Sequence, residues 1–453
     1  MGITMGATMN LSQDKIIEVL LDVNFWREDR FCGVERGAYL ERIFRLAQDG
    51  LAVTLIGPRR SGKTTIMNQL IQRLITQGVP RQNTLYVNFE DPRFFGELTP
   101  EFMNRLMSAY IAFLKPEGKT YLFLDEVQSV RGWEQFVRQM IDQGGRQVFV
   151  TGSSSKLLSR ELGTLLTGRH LDATIYPLDF SGFLSFKGIV YDDCLDMIRR
   201  RDEIRGKIRE FMQWGGFPAV VLGVNQKEIL LNYAGDILSR DVVERYGITK
   251  ADNLRTLCKY YMTNAASLIS YNSVKGFLNM PVDTVERWSD YFNQAFLFFF
   301  VRRFSYSLKE QEKNPRKVYC IDTGLRNAVS FRFTEDLGKL LENMVFLKYL
   351  QGGADVYYWK DAQGYEVDFV VMKQGKVGDI CQVSFDVSEA KAKQRELRGL
   401  LRALTFFNAK EGLIVTEELE AEETVDGCLI RYVPIWKFLL LPIKEFGDAS
   451  DQN

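Results

Sequence analysis

Three apolar runs stand out in the first 190 residues, each followed by a polar turn. Residues 51 to 56 (LAVTLI), 121 to 124 (YLFL) and 147 to 151 (QVFVT) are too continuous to alternate between a wet and a dry face. They predict parallel strands buried on both sides. The first runs into a glycine-bearing turn and then into a segment with Ile66, Leu70 and Leu74 at helical spacing. From about 190 to 310 the chain reads as helical. Within that stretch Val282, Val285, Trp288 and Ala295 share one helix face behind a turn at Asn279 to Pro281. Beyond residue 357 strands return. One apolar run carries Glu366 and Asp368 two positions apart, hence on one strand face, and a second ends at Gln382. A helix, SEAKAKQRELRGLLRALTFF, and a strand, IRYVPIWKFLL, close the pattern, so the fold class is α/β.

The turn after the first strand carries specific chemistry. Gly57, Pro58, Arg59, Arg60, Ser61 and Gly62 lead into Lys63, Thr64 and Thr65, and strand, glycine loop and helix follow in the order that a phosphate loop needs. Its glycines let backbone N–H groups turn towards phosphate oxygens, and the helix start adds its positive dipole end. Lys63 is expected to reach the outer phosphates of ATP, and the Thr64 hydroxyl to ligate Mg2+. Asp125 and Glu126 end the second strand, Asp125 as a Mg2+ holder and Glu126 as the group that polarises the attacking water. At the third strand's end, Thr151 and Ser153 to Ser155 are either a sensor of the terminal phosphate or a capped turn. Arg169, past a helix end, is a candidate for completing a neighbouring subunit's site, which implies a homo-oligomer such as a ring.

Composition narrows the rest. Lys plus Arg and Asp plus Glu both number 58 in the 453 residues, so any nucleic-acid contact must come from local patches. His170 is the single histidine, which excludes His-based metal sites and Ser-His-Asp or Cys-His catalysis. Six cysteines without a CxxC pair fit a reducing compartment. The start lacks a secretory pattern, and the longest apolar run, AFLFFFV, is far short of the ~18 residues that span a bilayer. The expectation is a cytoplasmic protein without membrane contact.

GPRRSGKTT, YLFLDEVQSVRGWE, TGSSSKLLSRE and TGRHLDATIYPLDFSGFL together resemble the archaeal and bacterial P-loop ATPases of the extended AAA superfamily. NQAFLFFFVRRFSYS, KVYCIDTGLRNAV, LGKLLENMVFLKYL and YEVDFVV resemble the subfamily with a C-terminal domain of unknown function. That resemblance implies an N-terminal extension over 1–35 and an AAA-type ATPase domain over 36–190. It further implies a helical and winged-helix domain over 191–315 and a restriction-endonuclease-like α/β domain over 316–453. The exposed positions of the second helix in the winged unit, Asp283, Glu286, Arg287 and Asp290, carry three acids against one base. Phosphates would be repelled there, so packing or oligomerisation is the expectation, with Arg302, Arg303 and Lys309 as candidate backbone contacts.

A restriction-endonuclease-like site takes an acid from a helix, an acid from one strand, and Glu or Gln followed two residues later by Lys on the next. Glu342, Asp368 and Gln382 fill the first three places as a possible second metal site, and Glu366 shares the face of Asp368. The Lys position holds Ser384, which has no charge and a short reach. Lys360, Lys373 and Lys376 lie on a flank or in the hairpin, so the shape is expected to persist without cleavage. Lys391, Lys393, Arg395, Arg398 and Arg402 give the following helix a basic face towards DNA or, equally, towards solvent. The leading expectation is a Mg2+-dependent ATPase whose nucleotide cycle acts on DNA. The alternatives are an ATP switch for protein partners and an ATP-gated nuclease.

Overall fold

The computed structural model describes residues 11–152, 166, 168–330, 337–385 and 390–442, with side chains of the last segment from 393 onward. The chain divides into two compact units, Met1–Ile175 and Tyr176–Asn453.

Unit 1 opens with helices α1 (Gln13–Leu21) and α2 (Gly37–Leu46). β1 (Ala52–Ile56), α3 (Lys63–Thr76), β2 (Thr84–Asn88), α4 (Pro100–Leu114), β3 (Thr120–Asp125), α5 (Trp133–Asp142), β4 (Arg146–Thr151) and β5 (His170–Thr174) follow. The five strands form one sheet in the order β2-β3-β4-β1-β5, all parallel. The apolar runs are therefore the three central strands, and helices on both faces keep water off them. Val53, Leu55, Phe123 and Phe149 meet Ile66, Leu70 and Leu74 in one core. That packing clamps α3 behind β1 and sets the turn between them.

The segment before α2 serves the sheet. β2 is an edge strand, whose backbone groups would otherwise face outward. The Asn24 amide donates to the Tyr86 carbonyl at 2.8 Å and its oxygen accepts from the Tyr86 N–H at 2.7 Å. The Trp26 indole donates to the Thr84 carbonyl at 2.6 Å. Residues 1–35 were expected to extend beyond the nucleotide domain; from 11 on they cover this edge.

Unit 2 begins helical, with Arg201–Trp214, Gln226–Asp236 and Ala251–Thr263 among its longer helices. β6 (Ser267–Ile269), α6 (Tyr271–Leu278), α7 (Val282–Gln294), β7 (Phe298–Val301) and β8 (Arg316–Cys320) come next, with strand order β6-β8-β7. Asn279, between α6 and α7, takes a left-handed conformation at φ 49° that asparagine tolerates well. Val285, Trp288 and Ala295 are buried, and Asp283, Glu286, Arg287 and Asp290 are exposed, as their spacing requires. β8 alternates: Val318 and Cys320 enter the core around α7, whereas Tyr319 enters a second core formed with the C-terminal sheet.

That sheet has six strands, in the order β13-β14-β12-β11-β10-β9. They are β9 (Asp355–Lys360), β10 (Glu366–Lys373), β11 (Lys376–Val383), β12 (Glu411–Thr416), β13 (Ala421–Val425) and β14 (Cys428–Pro434). β9, β10 and β11 run as an antiparallel meander, after which β11, β12 and β14 are parallel. Helix α8 (Leu337–Gln351) packs Leu341, Met344 and Val345 with Phe369 and Cys381. Helix α9 (Ala390–Phe407) brings Leu400 and Leu404 to Val367, Val370 and Ile380, in a separate core. The β9–β10 register shifts between Val367 and Val370, beside Asp368, an irregularity that re-aims side chains.

Candidate functional site

The loop between β1 and α3 is shaped by two glycines. Gly57 sits at φ 146°, and a Cβ built there would lie 2.2 Å from the Ile175 carbonyl oxygen, so only glycine fits. Gly62 sits at φ 96° and offers no side chain to cap α3, whose N-terminal end faces the loop. Arg60 holds a left-handed φ of 68° between them. The Lys63 ammonium, 6% exposed, donates to the carbonyls of Gly57 and Pro58 at 3.0 Å each. Arg36 donates to the Ser61 carbonyl at 2.9 Å and braces the loop from outside. Arg59 faces Glu90 at 4.0 Å, while Thr64 and Thr65 are exposed at the start of α3. The fully buried Ser61 hydroxyl has no hydrogen-bond partner among the described residues.

β3 delivers the acids to this loop. The Thr64 hydroxyl donates to Asp125 Oδ2 at 2.7 Å, and Tyr86 Oη donates to the same oxygen at 2.8 Å. Thr151 Oγ1 donates to Asp125 Oδ1 and accepts from the Glu126 N–H at 2.9 Å. Three hydroxyls, from α3, β2 and β4, thus fix one carboxylate. Burial, with Asp125 alongside, pushes the Tyr86 phenol well up, so it stays a donor. Glu126 follows in a left-handed conformation at φ 52°, a strained setting for a non-glycine residue and common at working sites. Burial raises its carboxyl pKa above that of an ordinary glutamate, opposed by the Lys63 charge. Its side chain accepts from Gln128.

Of the residues expected here, the structure brings Gly57 to Thr65, Asp125, Glu126 and Thr151 together. Ser153 lies outside the described residues. Arg169 is elsewhere: its carbonyl accepts from the Ala52 N–H, at the start of β1, and its guanidinium pairs with Asp142. β1 is five residues long, so Arg169 and the loop occupy opposite ends of the sheet, about 16 Å apart along the strand. Tyr86 and Arg36 were not foreseen. Tyr86 has a faint signal, a phenol between Leu85 and Val87 in the middle of β2; Arg36 has none.

The second constellation lies in unit 2, and a residue from outside the expected set dominates it. Lys317, on β8, is 4% exposed. Its ammonium lies 3.1 Å from Glu342 Oε1, 3.0 Å from Glu366 Oε1 and 2.7 Å from Asp368 Oδ1. Tyr319 Oη donates to Glu342 Oε1 at 2.6 Å, and Asp368 Oδ2 accepts from the Val383 N–H at 2.9 Å. Gln382 turns its oxygen to the Asp368 N–H at 3.1 Å and its amide to Glu396 on α9 at 2.6 Å. Burial pulls the Lys317 pKa down, but Asp368 and Glu342 outweigh it and hold the group charged. Burial and the neighbouring Asp368 push Glu342 up to about 7.

An ammonium therefore does reach all three carboxylates, from Lys317, whereas of the expected sources only Lys360 reaches one of them. Lys360 pairs with the outer oxygen of Glu366 at 3.1 Å, and Lys373 and Lys376 face each other at the hairpin end. The sequence signal was the alternation of KVYC, with a lysine on the buried face of a strand. Among the described residues no group of three or more His, Cys, Asp or Glu could hold a metal ion. On α9, Lys393 pairs with Glu423, Arg395 with Glu396 and Arg402 with Asp361. No helix among the described residues is long and apolar enough to cross a membrane.

The nucleotide loop and the acidic strand end lie inside a matched family domain. Residues 49–184 match the AAA domain family, and 205–336 and 337–438 match two domains of unknown function, DUF8612 and DUF4143. Among solved structures, the Walker-type ATPase PABY2304 of Pyrococcus abyssi is similar at 14% identity and a TM-score of 0.44, over 68% of this chain and 97% of that one. An uncharacterized protein of Haemophilus influenzae is 28% identical over 89% of this chain and 98% of its own length. The uncharacterized protein MJ1544 of Methanocaldococcus jannaschii is 33% identical over 404 residues, 85% of this chain and 87% of that one. With a phosphate loop and an acidic strand end meeting inside the matched AAA domain, the chain belongs to the family of that Methanocaldococcus protein and carries a P-loop NTPase domain of the AAA type.

Proposed function

We propose that the protein hydrolyses ATP to ADP and phosphate with Mg2+ as cofactor, in an assembly where Arg169 of one copy completes the site of another. The observation that carries this reading is the 2.7 Å contact between Thr64 and Asp125, with Glu126 next in the chain. The residues fit the nucleotide: a loop that excludes Cβ atoms at Gly57, an unpartnered buried hydroxyl at Ser61, and a lysine lodged on two carbonyls that a phosphate oxygen can replace. Thr64 and Asp125 would hold Mg2+, which supplies charge neutralisation across the outer phosphates. Asp125 enters the reaction already oriented by Tyr86 and Thr151, so little reorganisation is needed at the moment of transfer. Glu126 accepts a proton from the water that attacks the terminal phosphorus as the bond to ADP breaks, and its raised pKa makes it a better base. Thr151 links Asp125 to the Glu126 backbone and so ties the two carboxylates to one geometry.

Arg169 cannot serve the loop of its own chain from the opposite end of the sheet. A copy stacked head to tail brings it to the neighbour's terminal phosphate, where it exchanges Asp142 for that charge. Mixing chains tests this: Lys63→Ala and Arg169→Ala proteins, each inactive alone, regain part of the turnover together, because one mixed interface is intact. No regain on mixing overturns the assembly while leaving hydrolysis standing.

For the partner, DNA is the reading that the basic helix suggested, and a protein partner is favoured by one observation. Lys393, Arg395 and Arg402 are paired with acids of their own unit, and Arg302 with Glu312, so these cations are not waiting for phosphates. ATP turnover indifferent to single-stranded, duplex and branched DNA supports the protein partner. Stimulation that Lys63→Ala abolishes returns the partner to DNA.

A further inference from the structure

We propose that the Lys317 ammonium takes the place of a divalent cation among Glu342, Glu366 and Asp368, making the C-terminal constellation a metal-independent clasp rather than a hydrolytic site. A lysine ammonium has three N–H donors and no acceptor. Three carboxylate oxygens, one from each acid, lie 2.7 to 3.1 Å from it, those of Glu342 and Asp368 as hydrogen bonds and that of Glu366 as an ion pair, so the ammonium is surrounded by its own acids rather than by water or a phosphodiester. Mg2+ would need oxygens in an octahedron at roughly 2.0–2.1 Å around the same point. Several oxygens of the set are also engaged, and the ammonium itself fills the point where the ion would sit. Glu342 Oε1 accepts from Tyr319, Asp368 Oδ2 from the Val383 N–H, the outer oxygen of Glu366 from Lys360, and Gln382 is turned to the Asp368 N–H and Glu396. A divalent ion arriving beside the ammonium would meet a like charge in a buried setting, where repulsion is least screened.

The lysine also has the wrong surroundings for assisting cleavage. It is 4% exposed and held from both sides of a strand boundary: β8 supplies Lys317 and Tyr319, α8 supplies Glu342, and β10 supplies Glu366 and Asp368. Next to Glu342, Asn343 accepts from the Cys320 N–H at 2.8 Å and donates to its carbonyl at 2.9 Å, pinning β8 where the ammonium must arrive. The clasp therefore joins the three-stranded sheet of unit 2 to its six-stranded sheet through charge rather than through an ion drawn from solution.

The test uses the full chain carrying Asp125→Asn, which removes the carboxylate of the nucleotide site, and follows Mn2+ uptake by electron paramagnetic resonance. This parent is expected to retain no Mn2+ at the C-terminal acids. Adding Lys317→Met is expected to create one bound Mn2+ per chain, lost again when Asp368→Asn is added. Should the Lys317→Met chain not fold unaided, refolding with and without Mn2+ decides: recovery with the metal alone supports the replacement, and failure in both contradicts it. Mn2+ bound by the parent and released by Asp368→Asn overturns the proposal, as does a folded Lys317→Met chain that takes up none. ATP turnover plays no part, so these results stand apart from the reading of the nucleotide site.

Discussion

Lys63 and Lys317 are both buried, and the protein holds them by opposite means. Lys63 rests on two neutral carbonyls at the mouth of a loop whose neighbouring Thr64 is exposed. Lys317 is enclosed by three carboxylates, each with an oxygen within 3.1 Å of its ammonium. Carbonyl dipoles are weak competitors for an ammonium, so a phosphate can displace them; carboxylates in a low-dielectric setting are strong ones. On the proposed reading, the first lysine is the one a phosphate oxygen can reach by replacing those carbonyls. The second is already part of a finished network. Two clusters that both contain acids and a lysine therefore differ in what holds the ammonium, neutral carbonyls in one and carboxylates in the other.

The comparison breaks most visibly at the unfinished site. Arg169→Ala should lower ATP turnover by about 10³-fold or more while leaving ATP affinity near wild type, measured as phosphate release at saturating ATP and by calorimetry. Glu126→Gln should cost about 10²–10⁴-fold in turnover with nucleotide still bound. An unchanged rate in either case means that the group has no part in the reaction. At the finished site the loss is in stability: Lys317→Met should destabilise unit 2 by about 3–5 kcal/mol in denaturant unfolding, since it strands buried carboxylates without their cation. A loss within ~0.5 kcal/mol would mean that the clasp holds nothing. Smallest of all, Ser384→Lys should leave stability within about 0.5 kcal/mol and produce no DNA cleavage with Mg2+ or Mn2+. Restoring the expected lysine position does not help where another ammonium already fills the cluster.

The two sites were not equally legible in the sequence. The nucleotide site is written in contiguous residues, because a loop, a strand end and a helix start are each local structures with their own side-chain rules. What escaped was the support: Tyr86 and Arg36 act through distances that only the strand order β2-β3-β4-β1-β5 sets. The C-terminal acids were visible as a strand face, and Glu342, Glu366 and Asp368 do converge. Their cation was invisible there. Lys317 is 51 residues from Asp368, and its role depends on β8 pairing with β6 and β7 while turning its other face to a different sheet. A missing lysine at 384 read as lost chemistry because the spacing rule assumes that strand neighbours supply the group. The boundary expected at 315/316 falls just ahead of this same strand, whose two faces belong to two cores.

The central claim is that the loop at Gly57 to Thr65 and the acids at Asp125 and Glu126 form one working nucleotide site. Phosphate release from ATP by the purified chain, with Mg2+ and with the metal chelated, tests it most directly. The account predicts turnover that needs Mg2+ and falls to background in Glu126→Gln. A folded wild-type chain that releases no more phosphate than Glu126→Gln, at any protein concentration and with Mg2+ present, would contradict it.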